Sequence, residues 1–330
     1  MSIASDSRAV TPGVDPSTHA RPAARPSQKT ESTAKLGGTL PIADRVTNLI
    51  VILVPFAALI GAVVYAWGWG IGWLELALFF GMYLVTGLGV TVGYHRYFTH
   101  KSFECGPITK TVLGIAGSMS VEGSIFRWVA FHRAHHQHSD HEQDPHSPHG
   151  HGSGVWGVIK GAYNAHVGWM LKTSDKGLER YVTDLKQDRL TRTISDLFPL
   201  WMVLSLIIPA VIGGLVSMSW GGALLGFVWG GLIRVLFVHH ATWSVNSVCH
   251  LWGTRAFKSH DESRNNAIVG VLALGEGWHN NHHAFPTSAR HGLKWWQFDA
   301  SWIVIQAMHK LGLAWKIRVP PAERLESKRV

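Results

Sequence analysis

The sequence predicts an all-α integral membrane protein with four transmembrane helices in two hairpins, closed on the cytoplasmic side by a helical cap. Three observations predict it. The 330 residues are 46% hydrophobic, include sixteen tryptophans and are only 15% charged, leaner in charge than a soluble chain of this length. Residues 46–67 and 197–218 carry no charged side chain and reach the roughly 20 residues that a helix needs to cross a bilayer. The thirty Lys and Arg residues avoid the short turns GWG and SWG that follow these two runs: six precede the first, twelve lie between Tyr94 and Asp196, one is Arg234 and eleven follow it. Basic residues are retained on the cytoplasmic side, so both termini and both long polar regions are placed there.

The elements follow in order. Residues 1–38, rich in Pro, Ser, Ala, Thr and Arg, lack the apolar core of a signal peptide and read as a disordered tail. Spans are expected at about 46–67, 71–93, 197–218 and 220–240, with cytoplasmic regions 94–196 and 241–315 completing a domain over 39–315. Glu75 and Arg234, the single charges in the second and fourth spans, lie near the ends, where they can snorkel. Trp67, Trp69, Trp73 and Trp220 cluster at the outer ends, as amphipathic rings do at an interface. Segment 108–130, interrupted by Gly114, Gly117 and Glu122, is expected to lie in the interface or dip into it. Phe298, Trp302, Ile305 and Met308 repeat at helical spacing and predict an amphipathic surface helix within 294–315. Residues 316–330 read as a flexible tail. The formal charge of +9 fits anionic headgroups, and no nucleic-acid motif accompanies it. Cys105 and Cys249 both fall in cytoplasmic regions and are expected to stay reduced.

Apart from His19, every histidine follows the second span. Four groups stand at or beyond the inner ends of hydrophobic segments: HRYFTH (His95, His100), HRAHH (His132, His135, His136), NSVCH (Asn246, His250) and HNNHH (His279, His282, His283). On a helix, positions i, i+3 and i+4 share a face, so each H-x-x-H-H triple can converge on one metal region, and Asn246 shares a face with His250. His95 and His100 are i, i+5, about 140° apart on an ideal α-helix. That pair needs a kinked or ending helix. Nine imidazoles are too many for one four-coordinate ion and suit two. Imidazole alone does not choose between Zn, Cu, Fe and Ni. Neutral ligands call for carboxylates behind them, and Asp140, Glu142, Asp144 and Glu276 are candidates, beside a plain reading as solvated loop acids. Of the eight histidines between 131 and 152, His146 reads as a supporting residue, while His138, His141, His149 and His151 read as a solvated loop.

Together with GSIFRWVAFHRAHHQHSD, DPHSP (144–148), HVGWML (166–171), NSVCHLWG (246–253) and GEGWHNNHHAFP (275–286), these boxes resemble the membrane-bound fatty acyl desaturases, specifically a bacterial member of the Δ9, stearoyl-type branch. The resemblance runs from about Leu40 to Leu313. It implies a di-iron centre held by His95, His100, His132, His135, His136, His250, His279, His282 and His283, with Asn246 contributing through a bound water. Zinc is a ready occupant of such a cage in overproduced protein. The implied reaction takes O2 and two electrons and leaves a cis double bond in a saturated acyl chain carried as acyl-lipid or acyl-CoA, in the bacterial inner membrane. An unactivated methylene has no usefully acidic proton, so general acid–base groups cannot break its C–H bond, whereas an oxidant made from O2 at a metal centre can. Trp128, Trp169 and Trp278 are candidate walls of the acyl tunnel, although packing is the commoner role of tryptophan. No cytochrome b5 or ferredoxin motif is visible, so a separate carrier of either type, with its reductase, is expected to supply electrons. Animal acyl-CoA members carry Arg-Asp before the second box, where this chain has Ala130 and Phe131. That favours a lipid carrier and leaves Arg127, Arg133 and Lys172 as candidate phosphate contacts. Two rivals are an alkyl- or acyl-chain hydroxylase on the same scaffold and, from another class, a metal-transporting membrane protein, which would need polar ligands at membrane depth.

Overall fold

The computed structural model of the protein describes residues 39–65, 67–68 and 70–330. The expected N-terminal tail and the interfacial placing of Trp69 lie outside the described residues. Among the described residues four helices are long and apolar enough to cross a membrane: α1 (Ile42–Tyr65), α2 (Trp73–Thr99), and, after the first polar region, Phe198–Ser217 and Trp220–Leu251. Only 6% of the most apolar window of α1 is covered by other protein. A helix so apolar and so bare is stable only where hydrocarbon covers it. Trp67, Trp73 and Trp220 are exposed near the turns between paired spans, as interfacial anchors require.

The second and fourth long helices run past the expected span ends and carry His95, His239, His240 and His250 on continuous backbone. In α2 the last eleven residues, Gly89–Thr99, form a π-helix. Its i→i+5 hydrogen bonding includes His100 N to His95 O at 3.1 Å, and it brings an i, i+5 pair onto one side. This solves the geometry of HRYFTH: the two rings lie 4.8 Å apart. Gly89 permits the turn's packing, because a Cβ there would sit 2.2 Å from the backbone of Ala116 and Gly117.

That neighbour belongs to α3 (Pro107–Ser118), which is followed by α4 (Ile125–His138). Gly117 and Gly114 are thus close-packing positions under Tyr94, Ile125 and Ile194. Helix α4 starts at Ser124, whose hydroxyl accepts the Arg127 N–H, and buries Ile125, Val129, Phe131 and Ala134 against Tyr94, Phe98 and Leu178. Helices α5 (Gly154–His166), α6 (Thr183–Gln187) and α7 (Arg189–Asp196) complete this region.

The third long helix, α8 (Phe198–Ser217), and the fourth, α9 (Trp220–Leu251), pack through small residues: a Cβ on Gly213 or Gly226 would clash with the facing backbone. Helix α1 packs against the Phe227–Ile233 π segment of α9, and its Asn48 Nδ2 donates to Met170 O at 2.6 Å. Neither lone span charge snorkels. Arg234 is wholly buried and donates to the carbonyls of Gly230, Met119 and Ser205, while the buried Glu75 accepts the Gly72 N–H at 2.8 Å. Buried backbone carbonyls offset the Arg234 charge, and a backbone N–H meets that of Glu75.

Beyond α9 come α10 (Ala267–Leu272), α11 (His279–Ala284), α12 (Ala300–Lys310) and α13 (Ala322–Lys328). The amphipathic face of α12 is present at Ile305 and Met308, but Phe298 precedes the helix, which Asp299 caps. A short ladder pairs β1 (Glu104–Cys105) with β2 (Ala314–Trp315), antiparallel. The expected loose end at 316–330 is instead folded onto the body: Lys258 N donates to Lys328 O at 2.7 Å, Lys328 Nζ to Ala284 O at 2.8 Å, and Leu325 packs by Phe257 and Phe285. Backbone pairing, which side-chain pattern does not advertise, holds it there. Both cysteines are free thiols.

Candidate metal centre

The nine box histidines converge, and they divide into two sets. One contains His95, His100, His132, His136 and His282; the other His135, His250, His279 and His283. In the first, Nε2–Nε2 separations are 3.0 Å for His95–His282, 3.2 Å for His100–His132, 3.0 Å for His132–His136 and 2.9 Å for His136–His282. In the second, His250 and His279 meet at 2.9 Å.

Each H-x-x-H-H triple therefore serves both sets rather than one region. The i, i+4 pair of α4, His132 and His136, stays together while His135 crosses to the other set. On α11 the i, i+4 pair His279 and His283 stays together and His282 crosses. The i+4 side chain lies about 40° round a helix from position i and the i+3 side chain about 60° the other way, which separates them when two targets lie side by side.

Carboxylates fix which ring nitrogen points inward. Glu276 Oε2 lies 2.5 Å from His95 Nδ1, Asp144 lies 3.0 Å from His135 Nδ1, Asp140 lies 2.9 Å from His250 Nδ1, and Asp261 bonds His283 Nδ1. A proton held at Nδ1 leaves a bare lone pair at Nε2. Lone pairs at mutual distances near 3 Å repel one another unless a cation lies between them. Two nitrogens each about 2.1 Å from one ion and at right angles stand about 3 Å apart, so the donor set fits a metal. The buried Nε2 atoms of His135 and His283 have no hydrogen-bond partner, as such a reading requires.

The supporting acids are themselves anchored. Burial alone would raise their pKa values, but the His250 bond brings Asp140 down to about 2, and His135 and His283 hold Asp144 and Asp261 well below the carboxylate range. Glu276 is likewise lowered by His95, His291 and Arg96 against the opposing effect of burial. Asp140 takes a positive φ of 63°, tolerated by Asp, and accepts the Glu262 N–H at 2.8 Å. Glu142 stays exposed and takes no part. His146 stacks on His135 at 4.3 Å, and its backbone N–H donates to Asp144 Oδ1 at 3.1 Å.

Sequence reasoning missed Asp261, Arg96, Asp299 and His291. Arg96 ties Glu276 to Asp299, and the wholly buried His291 lies 3.2 Å from Glu276. The arginine's place directly after the first box histidine was the available signal; Asp261, in a loop, offered none. His149, assigned to a solvated loop, bonds the His250 carbonyl at 3.2 Å, whereas His141 is exposed as expected.

Two cavities meet beside the histidines, sharing Trp128 and His132. The larger, about 340 Å³, is lined by Thr47, Asn48 and Val51 of α1, Phe198 and Met202 of α8, Arg127 and Trp169. The smaller, about 40 Å³, is lined by His95, Thr242, Asn246, His279 and, at one end, Tyr83. Trp128 stacks on His132 at 4.9 Å with rings 20° apart. Trp278 lines neither cavity: it lies under Gly270, and its indole N–H is committed to the Phe298 carbonyl at 2.7 Å. Arg133 is likewise taken, by Asp184 and the carbonyls of Phe98, Thr99 and Tyr181.

Comparison with known proteins gives this geometry a context. The family model for fatty acid desaturase matches residues 68–318. A hex-5-enoyl-[acyl-carrier protein] acetylenase of Moorena producens is 39% identical over 280 residues, 84% of this chain and 87% of the relative. An sn-1 stearoyl-lipid 9-desaturase of Synechocystis is 36% identical over 259 residues, 78% and 76% of the two chains. An icosanoyl-CoA 5-desaturase of Limnanthes douglasii is 34% identical over 281 residues, 83% and 72%.

Proposed function

The chain belongs to the fatty acid desaturase family, and we propose that it holds two iron ions between its histidine sets and places a cis double bond at the Δ9 position of a long, lipid-borne acyl chain. It is an oxidoreductase of fatty acyl chains, associated with the membrane. One observation carries the proposed site: inward Nε2 lone pairs, fixed by carboxylates at Nδ1, beside an apolar cavity.

In this reading His95, His100, His132, His136 and His282 hold one ion. His135, His250, His279 and His283 hold the other, with Asn246 completing it through a water. Iron there would supply, with O2 and two electrons, the oxidant that an unactivated C–H bond demands. The chain's own residues do the rest. Glu276, Asp140, Asp144 and Asp261 orient the rings; Trp128 and Trp169 wall the path of the acyl chain; apolar lining excludes water. Regioselectivity comes from how far the chain can advance past Trp128, because contacts alone distinguish one methylene from the next poorly.

The carrier is read from the larger cavity. Its lining includes the inner ends of α1 and α8, which lipid surrounds, and Arg127 is the one Lys or Arg side chain among its lining residues. A glycerolipid can enter sideways there, whereas the several phosphates of CoA would ask for more cations. The relatives' names include acyl-carrier protein, lipid and CoA carriers, so they do not choose. The Lys and Arg distribution supports a cytoplasmic site, where a ferredoxin- or cytochrome b5-type carrier can deliver electrons. Mass spectrometry of membrane lipids from a host with and without the chain tests the reading. New cis-Δ9 acyl groups on glycerolipids are expected; hydroxylated chains without unsaturation, or an unchanged profile, would overturn it.

A further inference from the structure

Glu122 is an acid in the cavity wall that the ligand scheme leaves unused. It lies in the turn between α3 and α4 and lines the larger cavity. Its Oε2 accepts the Trp128 indole N–H at 2.9 Å; its Oε1, sealed from solvent, makes no hydrogen bond of normal geometry, and the Thr242 hydroxyl stands near enough to act on the carboxyl. Trp128 in turn stacks on His132 at the point where the two cavities meet. Thr242, on α9, lines the smaller cavity together with His95, His132 and Asn246, one helical turn away from that amide.

A tie for the Trp128 indole needs only an acceptor, which an amide would supply. A carboxyl whose second oxygen makes no normal hydrogen bond does more: it can hold a proton inside an apolar wall. Burial pushes the Glu122 pKa up to about 7, with Thr242 and Trp128 drawing it the other way. Tyr83 approaches from α2, Tyr94 from the π segment, Arg127 from α4, and His239 and Thr242 from α9. Among the described residues Glu122 makes no ion pair, so no salt bridge holds it as a carboxylate.

The reaction supplies the need. Making one double bond removes two hydrogens from the acyl chain and consumes one O2, two electrons from the carrier protein and two protons, leaving two waters. The chain's two hydrogens cannot account for all four hydrogens of that water. We propose that Glu122 donates one of the two protons, passing it by way of the Thr242 hydroxyl into the histidine-lined cavity. Its carboxylate is then reprotonated from water in the larger cavity once the product has left. The smaller cavity has room for two or three waters when no chain fills it, enough to extend the path.

This inference rests on the desaturase reading, and the test separates the two. In the purified protein with its carrier, E122Q keeps the acceptor for Trp128 and the volume but removes the proton. Turnover is expected to fall about tenfold or more, with KM for lipid unchanged, full metal content, and a rise in hydrogen peroxide released per electron. T242V should share that uncoupling, and T242S should restore it. In metal-free protein, infrared difference spectra across about pH 7 should carry a carboxyl C=O band that E122Q lacks. Wild type that forms no double bond would sink the desaturase reading itself. Wild-type turnover with unchanged coupling in E122Q and T242V, or absence of the band, would overturn the role of Glu122 alone.

Discussion

The two histidine sets differ more than their similar residue content suggests. In the four-histidine set, three of four Nδ1 atoms rest on aspartates, Asp144, Asp140 and Asp261, and all four residues are buried. In the five-histidine set, His95 alone has a carboxylate, and Glu276 shares its charge with Arg96 and His291; His100, His132 and His136 are only half-buried. One set has fewer imidazoles but is rich in negative charge. The other has more imidazoles and little charge behind them. The lesson is that ligand count and electrostatic support can be traded between neighbouring sites, and the four-histidine set should hold its ion more firmly.

The largest test removes a ligand from each. H283A and H136A should both lower desaturation at least a hundredfold, with bound metal falling from two ions toward one. Elemental analysis of the purified variants and lipid profiling of the host would check this. Equal loss of both ions from both variants would erase the distinction between the sets.

A smaller effect sharpens it. D261N should weaken metal affinity by about 10- to 100-fold, as loss of a carboxylate behind a histidine does, and E276Q by less because that acid already serves three partners. Competition with a coloured chelator measures both. The reverse order would reverse the ranking of the two pockets.

The smallest effect is on pH. In metal-free protein, burial, partly offset by Asp261, holds His283 down to about 4, below its ordinary value near 6.5. Between those values the unfolded chain binds a proton that the folded chain refuses, so stability falls as pH drops from about 6.5 toward 4, by up to about 1.4 kcal/mol per pH unit for this residue. The aspartates act in the same sense but lower down: the stabilisation that Asp140 contributes above about 3.8 is lost as pH falls through about 2. Thermal melts of metal-free protein should show the loss between about pH 6.5 and 4, and H283Q should reduce it.

Much of this was legible in the sequence because histidine spacing and apolar run length are both periodic signals. The runs marked four long helices, and the boxes marked all nine imidazoles that converge. What periodicity could not supply was anything set by a neighbour. The split of His135 from His132 and His136 depends on where α11 lies. The closeness of His95 to His100 depends on a π-helix packed against Gly117. Asp261 and the docked C-terminal segment are held by loop and backbone contacts that leave no repeat in the chain. Trp278 and Arg133 looked free in the sequence only because their partners were invisible.

The crossing of the boxes has one more consequence. His95 and His282, side by side at 3.0 Å, are 187 residues apart in the chain, and His135, before the third long helix, and His250, near the end of the fourth, have rings 5.1 Å apart. An ion seated among them would act as a cross-link between the first pair of long helices and everything made after the fourth. Closing so long a loop removes entropy that the open chain would otherwise keep, so metal capture adds to the stability of the joined halves. It also sets an order of assembly. Neither set can be complete until synthesis has reached His282 and His283, and the apolar wall at Trp128 waits, unfilled and unable to act, until that last turn of histidines arrives.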